Sequence, residues 1–92
     1  MPTLASYTNK TTFVSDPIAI ASAGDYRFAT YGDMGDGKIR LLLRGVDGLY
    51  YPYQAMTAED YRHIAVNVSL LAGDSVRIEF AGCDSAGAEL VQ

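Results

Sequence analysis

The clearest hydropathy pattern in the chain runs from Tyr61 to Gly82. Ile64, Val66, Val68 and Leu70 share one face of an extended segment, and His63, Ala65, Asn67 and Ser69 share the other, the period of two of a half-buried strand. Leu71-Ala72-Gly73-Asp74 supplies a turn, after which Val76, Ile78 and Phe80 alternate with Ser75, Arg77 and Glu79. Two alternating runs joined by a short Gly-Asp turn predict a hairpin.

The same alternation recurs upstream. Tyr26, Phe28 and Thr30 alternate with Arg27, Ala29 and Tyr31, and Ile39, Leu41 and Leu43 alternate with Lys38, Arg40, Leu42 and Arg44. Between these runs Gly32, Gly35 and Gly37 supply positive φ angles for a long hairpin connection. Ile18 and Ile20 share a face before Gly24-Asp25 turns the chain, and Pro17 marks a strand start or edge because it lacks a ladder donor. Gly45-Val46-Asp47-Gly48 predicts a second hairpin turn. In the strand after it Leu49, Tyr51 and Tyr53 face inward and Tyr50, Pro52 and Gln54 outward, with Pro52 confining the strand to an edge. Ala55 to Asp60 breaks the alternation, and Thr57 is placed to cap a single helical turn. Cys83 to Gly87 reads as a small-residue loop before a short closing strand, Ala88 to Val91. Met1 to Thr12 is polar and without period, which predicts a flexible N-terminal arm over residues 1–12 and one domain over 13–92. About seven to eight short strands at intervals of about 8 to 12 residues predict an all-β fold, an antiparallel β-sandwich of jelly-roll-like form.

Composition narrows the function. The chain has 92 residues and a formal charge of −4, and its basic residues are scattered along the sequence, which argues against a phosphate-binding surface and so against a nucleic-acid partner. Cys83 is the single cysteine, which excludes an internal disulfide and a multi-thiolate zinc site and fits a reducing compartment. Met1 to Thr12 lacks the basic start and apolar run of a secretory signal. No stretch approaches the roughly 20 apolar residues of a membrane-spanning helix, so no membrane partner is expected. Asn9-Lys10-Thr11 and Asn67-Val68-Ser69 match the glycosylation tripeptide but are read as chance without an export signal. A chain of this size hides only a little over 60% of its unfolded surface, so packing against copies or a partner adds needed stability.

Candidate chemistry is sparse. His63 is the only histidine and has no orienting carboxylate near it in sequence, so no catalytic constellation is predicted and the chain is not expected to be an enzyme. Asp33 and Asp36 invite comparison with a calcium loop, but the twelfth place from Asp33, where an EF-hand requires glutamate, is Arg44. No metal or cofactor follows. Tyrosines carry the remaining signal, because an apolar ring with a hydroxyl suits protein interfaces and sugar platforms alike. Tyr31 and Leu42, apolar on otherwise polar faces, join Tyr50 and Tyr53 as the predicted protein-interface residues. The rival arrangement is a sugar-binding platform of Tyr50, Tyr51 and Tyr53 with Asp33 or Asp36 as polar contacts.

The run Ala23-Gly24-Asp25-Tyr26-Arg27-Phe28-Ala29-Thr30-Tyr31-Gly32, the strand Ile39-Arg40-Leu41-Leu42-Leu43 and the stretch Leu70-Leu71-Ala72-Gly73-Asp74-Ser75-Val76-Arg77-Ile78 with Ala81-Gly82 together resemble the small β-sandwich cement or decoration proteins of tailed-bacteriophage virions. The resemblance spans about Pro17 to Val91 and lies in turns and alternation. It implies a jelly-roll-like fold, no enzymatic activity, a place on the capsid surface after synthesis in the host cytoplasm, and two partners, the major capsid protein and copies of the chain itself as a dimer or trimer. The runner-up expectation is a carbohydrate-binding or receptor-binding β-sandwich module.

Overall fold

The computed structural model describes residues 2–53 and 65–92. Among them lie nine strands: β1 (Thr3–Lys10), β2 (Phe13–Val14), β3 (Ile18–Ala19), β4 (Gly24–Asp33), β5 (Lys38–Arg44), β6 (Tyr50–Pro52), β7 (Ala65–Leu70), β8 (Ser75–Ala81) and β9 (Ser85–Val91). One sheet, A, has the order β1-β9-β4-β7, and the other, B, has the order β2-β8-β5-β6 with β3 also on β8. All pairings are antiparallel.

Phe13 and Val14 pair with Phe80 and Glu79, and Ile18 and Ala19 pair with Val76 and Ser75. β2 and β3 are therefore two halves of one interrupted strand. Counted that way, each sheet has four strands, and the chain changes sheet at every connection except β5–β6. An antiparallel two-sheet sandwich with this strand order is a jelly roll.

Alternation places the core. Tyr26 and Phe28 of β4, Val68 and Leu70 of β7, Ile39 and Leu41 of β5, and Val76, Ile78 and Phe80 of β8 are all buried between the sheets. Burying side chains of this size contributes about 1.5–3 kcal/mol each. Tyr26 keeps its hydroxyl satisfied there by donating to the Ser22 carbonyl at 2.6 Å.

Pairing departs from the sequence reading in several places. β7 pairs with β4 in sheet A, whereas β8 pairs with β5 in sheet B, so residues 71–74 form an arch between sheets instead of a hairpin. The apolar faces of β7 and β8 thus belong to opposite sheets and both point into the interior. The arch is held by Leu71 N–H donating to Asp74 Oδ2 at 2.8 Å and by Gly73 N–H donating to the Ile20 carbonyl at 2.9 Å. The 32–37 connection is likewise an arch, from β4 in sheet A to β5 in sheet B. Gly45 to Gly48 does turn a hairpin, since β5 and β6 pair directly. Pro52 lies on an edge strand, as its missing donor requires. Gly24 and Asp25 belong to β4, and β9 starts at Ser85, inside the stretch read as a loop. The helical turn at 57–60 and the strand start at 61–64 lie outside the described residues.

Residues 3–10, read as an arm, form β1 on the edge of sheet A against β9. Leu4, Ala5 and Tyr7 pack partly against the core, and the Tyr7 ring lies 5.4 Å from that of Phe13, which is 6.1 Å from Phe80. Burial of these side chains, added to a backbone ladder, fixes the segment. Register shifts between Thr3 and Ala5 and between Tyr7 and Lys10 break its alternation.

The gap between β2 and β3 is repaired by one side chain. Ser15 is fully buried, its N–H donates to the Ile78 carbonyl at 2.9 Å, and its Oγ accepts the Ile78 N–H at 2.9 Å. The hydroxyl oxygen takes the place of the strand carbonyl that Asp16 and Pro17 divert. Replacing Ser15 by Ala strands a buried N–H, which costs about 1–3 kcal/mol. Urea unfolding of Ser15→Ala is expected to show a lower midpoint at unchanged slope, and an unchanged midpoint would refute the bridging role.

Candidate functional site

The four predicted interface residues reach three different places. Tyr31 lies on the outer face of sheet A, opposite Gly87 of β9. A Cβ on Gly87 would come within 2.4 Å of the Tyr31 ring, and the Tyr31 hydroxyl donates to the Tyr7 carbonyl at 3.3 Å. Its ring thus lies across β9 and ties β4 to β1. Tyr53 closes the opposite edge of the sandwich. Its backbone N–H donates to the Leu41 carbonyl in sheet B at 2.8 Å, while its hydroxyl accepts the Ser69 N–H of β7 at 3.2 Å.

Leu42 and Tyr50 share the outer face of sheet B. Leu42 sits between Pro52 and Arg77 of the flanking strands and is 8% exposed, so the chain itself covers it. Tyr50 bonds Ser75 Oγ through its hydroxyl at 2.7 Å, and the Arg77 guanidinium lies 4.8 Å from its ring centre. His63 and Tyr61 fall outside the described residues.

A different set of residues gathers at the β5–β6 hairpin. An open groove of about 610 Å³ is lined by Leu43, Arg44, Gly45, Tyr51, Pro52, Tyr53, Ser69, Leu71 and Asp74. It lies where β6 and β7, edge strands of different sheets, face each other. Beside it Val46, Leu49, Tyr51 and Leu71 are exposed, four of the six large apolar side chains that are exposed among the described residues. The hairpin tip and the 71–74 arch are neighbours, since Arg44 donates to the Gly73 carbonyl at 3.4 Å. Leu49 and Tyr51 were expected inward; they are exposed, Leu49 ahead of a three-residue edge strand that has a neighbour on one side only.

Sequence reasoning missed Val46, Leu71 and Asp74 as parts of one region. Two signals point to it: a valine inside a Gly-x-Asp-Gly turn, and a second leucine, Leu71, that breaks the alternation after Leu70. Neither feature serves the core.

The carboxylates here are committed to holding turns. Asp47 accepts the Leu49 N–H at 3.0 Å through Oδ1 and the Tyr51 hydroxyl at 2.5 Å through Oδ2. The Tyr51 bond first, and the Leu49 N–H second, hold the Asp47 carboxyl below the usual carboxylate range, and the same bond raises the Tyr51 phenol. Tyr50 moves the other way, lowered by its bond to Ser75 first and then by the Arg77 and Arg44 guanidiniums. Asp33 accepts the Gly35 N–H at 3.1 Å within its own loop. Among the described residues no group of three or more His, Cys, Asp or Glu side chains is placed to hold a metal ion. The region offers an apolar, aromatic surface with a polar rim, an arrangement suited to adhesion.

No protein-family model matches the chain, and no curated protein or solved structure matches it significantly.

The two adjacent phenols give a direct check on this geometry. The Asp47–Tyr51 bond needs an ionised carboxylate and a neutral phenol. Asp47, with a depressed value, contributes stability above the ordinary carboxylate range that is lost as pH falls through its folded value. Tyr51, with a raised value, contributes stability below the ordinary phenol range that is lost as pH rises through its folded value. In a near-ultraviolet absorbance titration, Tyr50→Phe is expected to remove an early-ionising phenol and Tyr51→Phe a late one. Identical curves for the two variants would refute the assigned bonds.

Proposed function

We propose that this chain is a noncatalytic structural protein that works by docking on other protein surfaces, and specifically that it is a cement or decoration protein of a tailed-bacteriophage head, seated on the major capsid protein and beside its own copies. The observation that carries the reading is the exposure of Val46, Leu49, Tyr51 and Leu71 on the β5–β6 hairpin and the arch beside it. Exposed apolar side chains gathered in one place and rimmed by polar groups mark protein contact sites. A valine at the tip of a hairpin turn adds no stability to the isolated fold, but it gains its full burial energy against a partner.

Fold alone does not choose the partner, because jelly rolls serve in viral shells and in lectins. Function as cement follows from repetition: many weak copies of one contact, distributed over a shell, add up to strong resistance to internal pressure. Edge strand β1 and the apolar end then offer two surfaces by which a copy can meet neighbours.

Co-sedimentation with capsids that lack the protein tests this directly, with solution mass read by light scattering. Stoichiometric binding and a gain in capsid heat resistance are expected. Val46→Asp with Leu71→Asp should weaken binding about tenfold or more per side chain, since each forfeits about 1.5–3 kcal/mol of burial. A stable monomer that ignores capsids overturns the reading.

A carbohydrate-binding or receptor-binding module is the second reading, favoured by Tyr51 and Tyr53 lining one groove with Asp74. Tyr50, on the other face of the strand, takes no part in that platform. Retention on a glycan array that disappears in Tyr51→Ala is its expected signature, and no retention at all removes it.

A further inference from the structure

An acidic chain here presents one basic face. Lys38, Arg40 and Arg44 occupy alternate positions of β5, and the register of β8 sets Arg77 opposite Leu42 and Glu79 opposite Arg40. Four of the seven lysines and arginines in the sequence thus share the outer face of sheet B. Glu79 is the one carboxylate that β5, β6 and β8 contribute there, so the outward positions of these three strands sum to +4 − 1 = +3, against −4 for the whole chain. The remainder of the molecule therefore carries −4 − 3 = −7.

The cations of this face are unevenly used. Glu79 is taken by Arg40, whose Nη2 lies 2.6 Å from Oε1. The Arg77 guanidinium lies 4.8 Å from the centre of the Tyr50 ring, and its buried Nε has no hydrogen-bond partner among the described residues. Arg44 is exposed and makes one long bond, to the Gly73 carbonyl at 3.4 Å. Lys38 is also exposed. Oriented guanidiniums with donors to spare match carboxylates, which they bind in paired, charge-assisted hydrogen bonds.

We propose that the outer face of sheet B is a docking surface for an acidic protein segment, whose Asp and Glu side chains pair with Arg44, Arg77 and Lys38 beside the Tyr50 ring. The three strands β6, β5 and β8 span about 10 Å from axis to axis, the width of one extended segment with its side chains. A phosphate polymer fits less well. Its charge extends far beyond this strip on an otherwise acidic chain, whereas a short acidic segment pairs locally. The proposal rests on the reading of the chain as a protein-contact module and names the chemistry of one contact.

The test is fluorescence anisotropy of a labelled poly-glutamate peptide titrated with the full chain. Binding is expected at about 0.01 M salt and should weaken about tenfold or more by about 0.15 M, as the screening length falls from about 30 to about 8 Å. Arg44→Gln with Arg77→Gln should weaken it about tenfold or more per arginine. Lys38→Gln with Arg44→Gln, both at exposed positions, should weaken it in the same direction while leaving the circular dichroism spectrum unchanged. Absence of binding at low salt, equal binding by the variants, tighter binding of single-stranded DNA of equal length, or self-association abolished by the same variants would each overturn the proposal. Failure of the capsid reading registers separately, as loss of co-sedimentation with peptide binding intact.

Discussion

Everything in this structure depends on giving β8 a continuous partner on each side. β8 carries Val76, Ile78 and Phe80 into the centre of the core, and a central strand leaves no N–H or C=O unpaired in that environment without a cost of about 1–3 kcal/mol. On one side β5 supplies an unbroken ladder. On the other the partner is split by Asp16-Pro17, and the Ser15 hydroxyl completes the pairing. Pro17 thus turns the chain, and the serine two residues earlier keeps the strand beside it whole. The buried faces of β4, β5 and β7 can pack against β8 and one another because that central strand is satisfied along its length.

Strand phase was legible from the sequence, and strand partners were not. Alternation alone assigns the inward residues of β4, β5, β7 and β8, because each strand is half buried and its side chains have a strict period of two. Yet a Gly-Asp turn serves equally well in a hairpin or in an arch between sheets. Residues 71–74 and 45–48 look alike in sequence, and the first joins two sheets while the second folds within one. Only the distant partner, β4 for β7 and β5 for β8, makes the difference. β1 was hidden for another reason: its two register shifts scramble the alternation by which a strand is recognised.

The candidate contact surfaces show the same division. Tyr50, Tyr51 and Tyr53 are neighbours in sequence but serve the outer face, the rim and the closing edge in turn, because successive residues of an edge strand meet different surroundings. Tyr31 is aromatic on a polar face and stays exposed there, and its ring also covers Gly87, where no side chain could fit beneath it. The basic strip needed both kinds of information. Outward positions of Lys38, Arg40 and Arg44 follow from alternation, but the arrival of Arg77 beside them depends on the pairing of β5 with β8.

The order of sheet A also governs how the chain is made. β9 lies between β1 and β4, so the first strand and the fourth both wait for the ninth. While a ribosome is still extending the polypeptide, β1 has no partner and β4 has an open edge, and neither can be closed by anything already synthesised. Folding is therefore deferred until β9 has been synthesised and proceeds at the slow pace of topologies dominated by distant pairing, milliseconds to seconds. Over that interval the exposed edge of β4 is a template for the same strand of another nascent copy, and its flanking charges, Asp25, Arg27 and Asp33, oppose that encounter.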